Sequence, residues 1–205
     1  MPSLALRCLL TIGLMLLAVA VWAHWPMKAL PAGTVADRIL IEKAARRLTL
    51  FRGTTVVQSY AVSLGLAPVG AKEREGDQRT PEGHYRVTEH KVDSSFHRAL
   101  RVSYPEAGDV ARAAQHGYAP GFDIMIHGLP NDWGVLGRTH RFRDWTAGCI
   151  ALTNAEIEED FRVVTPEAQI EIQCRVDIRD GTCVKVRQAL GKIDSKHQRR
   201  VNADR

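Results

Sequence analysis

The stretch "RILIEKAARRLTLFRGTTVVQSYAVSLG", residues 38–65, decides the fold class of this chain. Ile39 and Ile41 stand two positions apart, as do Leu48 and Leu50, and a longer run rich in β-branched residues follows them. A period of two is typical of strands that bury one face. The short groups "KAAR" and "RGTT" separate the runs as turns, so the stretch predicts a meander of antiparallel strands.

The rest of the chain adds strands and only two helices. A long polar loop with a Pro81–Gly83 turn leads into strand candidates at 84–90 and 99–104, and later ones are "FDIMIHG", "IALT" and "AQIEIQC". The Ala-rich "EAGDVARAAQHG" predicts a short helix that ends at Gly117. Thr153 and Glu156 have the spacing of a capping box and predict a second helix. The pattern is that of a mostly β domain with two short helices.

The composition is that of an ordinary globular protein. The chain has 205 residues, of which 45% are hydrophobic and 25% are charged. These values exclude a disordered chain, a collagen-like chain and a protein with many membrane spans. The length favours one domain with appended segments.

The first 23 residues form a separate segment. They contain no acid and a single basic residue, Arg7, followed by an unbroken apolar run that ends at Ala23. Small residues before His24 predict cleavage of a signal peptide after Ala23, and a retained amino-terminal anchor is the alternative. Both alternatives export the rest of the chain, and the second would tether it to the membrane.

The net charge of +5 is concentrated at one end. Residues 184–205 hold seven Lys/Arg against two Asp, whereas the body between the leader and this tail is close to neutral. A basic terminal segment is typical of a solvated extension, and export argues against a nucleic-acid partner. We therefore expect a leader or anchor at 1–23, a linker at 24–36, one folded domain at 37–183 and a basic tail at 184–205.

Three cysteines follow the leader: Cys149, Cys174 and Cys183. An odd number in an oxidising compartment implies one unpaired thiol. Cys174 ends an apolar strand candidate and Cys183 follows the turn "RDGT", so the chain between them can fold back to form a disulfide. Cys149 is then the cysteine that remains free.

Cys149 lies where a polar loop enters a strand, and His127 lies where the strand "DIMIHG" ends. Both positions are at the rim of a sheet, so the two side chains form a candidate dyad in which the histidine activates the thiol. His140 is the other local base. Gly148 allows close approach to a substrate carbonyl, and the N–H groups of Gly148 and Cys149 are candidate oxyanion donors. A buried core cysteine is the alternative interpretation.

These residues resemble a known family. "IHGLP" followed by "DWTAGCIAL" is similar to the signature of the L,D-transpeptidases, cysteine enzymes that remodel peptidoglycan. His127, Thr146, Gly148, Cys149 and Ile150 match it, with 18 residues between His127 and Thr146. The likeness extends from residue 37 to residue 174, through the opening strands and "GDQRTPEGHY".

The resemblance implies a β-sandwich or barrel-like fold and acyl transfer through a thioester on Cys149, with His127 as the base. It implies peptidoglycan stem peptides as substrates, the periplasm or cell envelope as the location, possible inhibition by carbapenem-type β-lactams, and neither a cofactor nor a metal. Ala147 and Ala151 depart from the family, which usually has histidine and a polar residue there. The acyl acceptor therefore stays open between a crosslinking amine, a protein lysine and water; loss of catalysis, leaving a peptidoglycan-binding module, is a further alternative.

Other residues around the signature have two interpretations each. Thr146 and Gly128 support the site or only shape its turns. Arg138, Arg141 and Arg143 bind substrate carboxylates or form a solvated loop face. Trp145 packs against substrate or anchors its own loop. No spacing resembles a zinc site, and we expect a monomer.

Overall fold

A computed structural model describes residues 3–174; Cys183 and the basic tail lie outside the described residues. The described chain contains one eight-stranded sheet with the order β3-β2-β1-β8-β4-β5-β6-β7. Its strands are β1 (Ala36–Glu42), β2 (Arg47–Arg52), β3 (Thr55–Ala61), β4 (Gly83–Ser94), β5 (His97–Val102), β6 (Met125–His127), β7 (Ile150–Ala151) and β8 (Val164–Gln173).

The two ends of the sheet meet. The long strand β4 pairs with β8 on one side and with β5 on the other. After β3 the chain returns to the far edge, where Ser63 forms an antiparallel bridge to Ala151 and Gly65 forms a parallel bridge to Thr146. The sheet is therefore curled, and the predicted mostly β, sandwich or barrel-like class is confirmed.

The predicted meander is present as β1, β2 and β3, each antiparallel to the next. The sequence did not indicate the other neighbour of β1, which is β8 in a parallel pairing that aligns Ile39 with Ile170 and Ile41 with Ile172. These partners are separated by most of the chain, and no local pattern carries information about such a pairing.

The described chain has four helical segments. They are α1 (Leu4–Ala23), α2 (Ala107–Gln115), α3 (Asn154–Val163) and a 3₁₀ segment (Gly134–Phe142). The two predicted short helices are α2 and α3, and α3 begins with the expected capping box between Thr153 and Glu156. The 3₁₀ segment was predicted only as a loop; Gly137, with φ 47°, interrupts it.

The core fixes the strands that carry the site. Ile126 of β6 and Ile150 of β7 are opposite one another and fully buried. Burial of such a side chain is worth about 1.5–3 kcal/mol, so a slip of one residue, which would turn these side chains to the other face, is strongly disfavoured. The register of β6 against β7 is therefore well determined.

The segment predicted as a leader or anchor forms an exposed apolar helix, α1. Its mean hydropathy is 2.4, and by length and composition it is able to cross a membrane, a test that signal sequences also pass. Of the linker predicted at 24–36, residues 24–35 contain no helix or strand, whereas Ala36 begins β1. They are nevertheless attached to the domain, because the Leu30 N–H donates to Glu159 Oε1 over 2.7 Å.

The cysteines divide into two classes. Cys174 is disulfide-bonded, and its predicted partner Cys183 lies outside the described residues. Cys149 and the leader residue Cys8 are free thiols. The expectation that Cys149 is unpaired therefore agrees with the structure.

Candidate active site

The parallel pairing of β6 with β7 places the predicted dyad on one face of the sheet. His127 is opposite Ala151, and Cys149 precedes Ala151 by two residues. Side chains alternate along a strand, so Cys149 shares the face of Ala151 and His127. In this parallel register Cys149, which immediately precedes β7, is level with Met125 at the start of β6, and His127 lies two residues further along the same face at the end of β6.

His127 has a defined orientation. Its ring is buried, Nδ1 donates to the Gly128 carbonyl over 2.6 Å, and the Phe96 ring lies 4.4 Å away between centroids. Burial lowers the pKa of His127 to about 4, and the bond to the Gly128 carbonyl opposes this shift. With the proton held on Nδ1, Nε2 of the neutral ring carries the free lone pair.

Cys149 rests as a neutral thiol. Its Sγ donates to the Asp123 carbonyl over 3.5 Å. Burial raises the pKa of Cys149, the Asp123 carboxylate raises it further, and the Met125 backbone N–H and Lys72 oppose the shift. Because burial disfavours the charged form of both members of the dyad, the resting pair is thiol and imidazole, not thiolate and imidazolium.

Thr146 organises the turn that presents Cys149. The Thr146 hydroxyl accepts from the Gly148 N–H over 3.1 Å and donates to the Cys149 carbonyl over 2.8 Å. Thr146 is itself buried. The two bonds span the turn, so of the two roles considered for Thr146 the structure supports the shaping of the turn.

Gly148 is required by this turn. Its φ is +133°, and a Cβ there would lie 2.7 Å from the Arg79 carbonyl oxygen. Its N–H is already bonded to Thr146, which is a correction to its prediction as an oxyanion donor. The Cys149 N–H stays as the candidate donor.

The loop whose Arg79 carbonyl packs against Gly148 is held in place by a buried lysine. Lys43 is only 1% exposed, and its Nζ donates to the carbonyls of Gly70 and Thr80 and to Glu82 Oε1 over 2.6, 2.8 and 2.9 Å. Three acceptors compensate for burial of the ammonium group. The sequence analysis missed Lys43, because its partners are 27 to 39 residues away.

His140, the other local base, is bonded differently. The Trp145 indole N–H donates to His140 Nδ1 over 3.3 Å, and burial lowers the pKa of His140 to about 4. An indole only donates, so Nδ1 accepts and the proton of the neutral ring is on Nε2. His140 Nε2 is buried without a hydrogen-bond partner among residues 3–174. The sequence offered both histidines; the structure favours His127.

A cavity of about 630 Å³ has Trp145 in its wall. The Trp145 ring lies 5.9 Å from that of His127 between centroids, although neither His127 nor Cys149 lines the cavity itself. The lining is largely apolar and comprises Leu129, Pro130, Trp133, Leu136, Thr139, His140, Phe142, Arg143 and Trp145. The position of Trp145 fits both the predicted substrate contact and the anchoring of its own loop.

The three predicted substrate-binding arginines have different environments. Arg141 forms a largely buried ion pair with Glu156 of α3, which corrects its prediction as a substrate ligand. Arg138 donates to the Trp22 carbonyl over 3.2 Å. Arg143 lines the cavity that also contains Trp145.

Gly128 supports the base through its backbone. Its carbonyl accepts from His127, and a Cβ at this position would lie 2.9 Å from Asn154 Oδ1 and 3.0 Å from Ile157 Cγ2. Glycine therefore lets α3 pack close to the end of β6. Within residues 3–174, no group of three or more His, Cys, Asp or Glu side chains is arranged to hold a metal ion.

The fold is similar to that of a solved cell shape determining protein. The cell shape determining protein Pgp2 of Campylobacter jejuni superposes with a TM-score of 0.54 at 22% identity, covering 78% of this chain and 55% of that chain. Its K307A mutant superposes with a TM-score of 0.55 at 22% identity, covering 78% and 54%. At this identity the likeness establishes the fold.

Sequence comparison identifies the family. "Putative L,D-transpeptidase YafK" of Escherichia coli (strain K12) is 33% identical over 126 residues, which are 57% of this chain and 44% of that protein. The chain therefore spans about half the length of the relatives it matches. Residues 36–186 match the model of the YkuD family, the L,D-transpeptidase catalytic domain. This chain belongs to the L,D-transpeptidase catalytic domain family.

Proposed function

We propose that this protein is an exported cysteine acyltransferase that acts on peptidoglycan stem peptides as an L,D-transpeptidase. One observation carries the proposal: by the register of β6 against β7, Cys149 just before β7 lies two residues from the level of His127 on the same face, and the Gly128 carbonyl holds the His127 proton on Nδ1. A free thiol beside an oriented imidazole lone pair is the arrangement that nucleophilic cysteine catalysis needs.

The first step forms the thioester. The Cys149 side chain rotates away from the Asp123 carbonyl, and its proton passes to His127 Nε2 as Sγ attacks the carbonyl carbon of the third stem-peptide residue. Because both groups are neutral at rest, proton transfer accompanies the attack. The bond from the Gly128 carbonyl to Nδ1 stabilises the imidazolium that forms.

The tetrahedral intermediate then collapses. Its oxyanion is held by the Cys149 N–H at the turn that Thr146 and Gly148 shape. His127 Nε2 returns the proton to the amine of the terminal D-amino acid, the peptide C–N bond breaks, and the D-amino acid leaves. The product is an acyl-enzyme with a thioester on Cys149.

The second step transfers the acyl group. An acceptor amine attacks the thioester, gives a proton to His127 Nε2 and forms a new amide bond. Thiolate leaves and recovers the proton from His127. Water in place of the amine yields a shortened stem; Ala147 motivates this second candidate, because its exposed position presents no polar side chain to orient an amine.

The binding of substrate is assigned to the cavity beside the dyad. Its apolar wall, with Trp145, suits the aliphatic part of a stem peptide, and Arg143 on the same wall supplies a cation for a carboxylate. A carbapenem-type β-lactam presents a reactive carbonyl to the same thiol, so we expect it to acylate Cys149. The apolar helix α1 directs the domain to the envelope, where peptidoglycan lies.

The test is turnover of purified tetrapeptide fragments of peptidoglycan by the full chain, with products read by mass. Crosslinked dimers, absent with Cys149→Ala, are the expected result. Shortened monomers alone would identify the hydrolase. No product from folded protein would reject both reactions on these substrates and support a binding module.

A further inference from the structure

The 3₁₀ segment, with Trp133 just before it, carries large apolar side chains that stay exposed among residues 3–174. Val135 is 76% exposed, Phe142 74% and Trp133 59%. Leu136 in the same segment and Trp25 after the leader are also exposed. We call these five residues the apolar patch. Large apolar side chains grouped in this way indicate a surface that meets a partner.

The end of α1 contacts this segment directly. The Trp22 ring stacks on the Phe142 ring with centroids 5.9 Å apart, and Arg138 donates to the Trp22 carbonyl over 3.2 Å. His24 Nε2 is bonded to the Val135 carbonyl over 2.9 Å. The last turn of the helix and the apolar patch therefore form one continuous surface.

The end of α1 packs closely against Gly137. A Cβ at residue 137 would lie 2.5 Å from the Ala23 carbonyl oxygen, and the φ of Gly137 is +47°. Ala23 is the one buried residue of α1. The peptide bond that the sequence predicts as a cleavage site therefore lies against the folded domain. Cleavage after Ala23 would remove the contact between Ala23 and Gly137.

The length of α1 fixes the depth of the patch. Twenty residues at about 1.5 Å per residue span about 30 Å, the thickness of the hydrocarbon core of a bilayer. When α1 crosses the bilayer, its last turn lies at the lipid–water interface, and so does the segment packed against that turn. Trp22, Trp25 and Trp133 then occupy the depth that tryptophan prefers.

The charges near the patch agree with this placement. Arg138 lines a groove with Trp25 and α1. A guanidinium group at this level binds lipid phosphates. Among residues 3–174, no carboxylate lines this groove.

We propose that α1 is retained as an anchor and that the apolar patch lies in the headgroup layer of the bilayer, beside the active site. Trp133, Leu136 and Phe142 also line the cavity, so lipid covers one edge of it. The dyad is then held within reach of the peptidoglycan nearest the membrane. The proposal concerns placement and does not depend on which acyl transfer the site performs.

Quenching of tryptophan by brominated lipid chains tests the placement. The full chain, with Trp133 as its only tryptophan and the other three replaced by phenylalanine, is placed in phosphatidylcholine–phosphatidylglycerol vesicles with and without bromine. We expect loss of most Trp133 emission. The control carries its only tryptophan at Val56→Trp, an exposed site at the Gly53 end of the β2–β3 hairpin, and should keep its emission. Equal emission from both sites would overturn the proposal.

Two further measurements cover the case in which loss of Trp145 disturbs the fold. With all native tryptophans present, Trp133→Phe should remove part of the quenched emission, and Val135→Asp should reduce quenching where Val56→Asp, at another exposed valine, does not. Absence of both effects would overturn the proposal. The intact mass of the chain recovered from a bacterial envelope should include residues 1–23, and a chain cut after Ala23 would contradict the anchor.

Discussion

His127 and His140 are two buried histidines beside the same indole, yet only one is suited to act as a base. Burial lowers the pKa of each to about 4. The Nδ1 of His127 donates to a carbonyl, whereas the Nδ1 of His140 accepts from Trp145. The free lone pair is therefore on Nε2 in His127 and already used on Nδ1 in His140.

The difference teaches that burial and proximity do not identify a base. The partner of one ring nitrogen decides what the other nitrogen can do. Position in the fold also distinguishes the two histidines: His127 ends β6, opposite Ala151 of β7, whereas His140 belongs to the 3₁₀ segment.

Exchange of each histidine for glutamine should give the largest contrast. His127→Gln removes the base and should lower kcat/KM by about 10²–10⁴-fold, the usual contribution of general base catalysis. His140→Gln leaves the dyad intact and should cost less than about 10-fold, through the position of Trp145 alone. Turnover of stem-peptide fragments measures both. A larger loss for His140→Gln than for His127→Gln would reverse our assignment.

Thr146→Val should have a smaller effect, because it alters the presentation of Cys149 but leaves the base in place. It removes the two hydrogen bonds that span the turn and leaves the Gly148 N–H without its partner. We expect a loss of stability of about 1–3 kcal/mol in denaturant unfolding. Thr146→Ser keeps the hydroxyl and is the matched control. Equal stability of the valine and serine variants would mean that the hydroxyl does not hold the turn.

The pH dependence of alkylation tests the neutral resting pair. Burial raises the pKa of Cys149 above its usual value of 9.0, and burial lowers that of His127. Alkylation by iodoacetamide, which reacts with thiolate, should therefore be slow at pH 7 and rise about 10-fold per pH unit up to the raised pKa. A plateau of fast alkylation between pH 5 and pH 8 would instead indicate a thiolate–imidazolium pair at rest.

Asp160 is a buried acid, and its effect on stability has the opposite pH dependence to that of the two buried histidines. Burial raises the pKa of Asp160, and Glu156 and Glu159 add to the shift. The folded chain thus holds a proton that the unfolded chain releases above pH 3.8, so the contribution of Asp160 to stability is lost as pH rises toward its raised pKa. The lowered pKa of each histidine acts in reverse: stability is lost as pH falls below about 6.5.

Asp160→Asn should therefore flatten the loss of stability on the alkaline side, which one proton sets at up to about 1.4 kcal/mol per pH unit. It should leave the loss on the acid side unchanged. Urea unfolding from pH 4 to pH 9 measures both sides, with the exposed Asp93→Asn as control. An unchanged alkaline side would mean that Asp160 ionises without cost in the folded protein.

Local patterns predicted much of the fold. The alternation at Ile39, Ile41, Leu48 and Leu50 located the meander, and the Thr153 capping box located α3, because these features depend on neighbours a few residues apart. The parallel pairing of β1 with β8 joins distant segments, and nothing in either strand specifies it.

The same limit applies to the site. The sequence proposed Cys149 and His127 from their places at strand boundaries and from a family resemblance. It could not assign Arg141 to Glu156, because a charged loop residue has the same sequence signature whether it faces a substrate or a helix. Nor could it indicate that Thr146 occupies the Gly148 N–H, since that bond depends on the geometry of one turn.

The central claim is that Cys149 becomes acylated with help from His127. Its most direct test is the intact mass of the full chain mixed with tetrapeptide fragments and quenched in acid, followed by peptide mapping. We predict one acyl group per chain, located on Cys149, absent in Cys149→Ala, formed much more slowly in His127→Gln and at nearly the native rate in His140→Gln. An adduct on another residue, or equal rates in native protein and His127→Gln, would contradict the account.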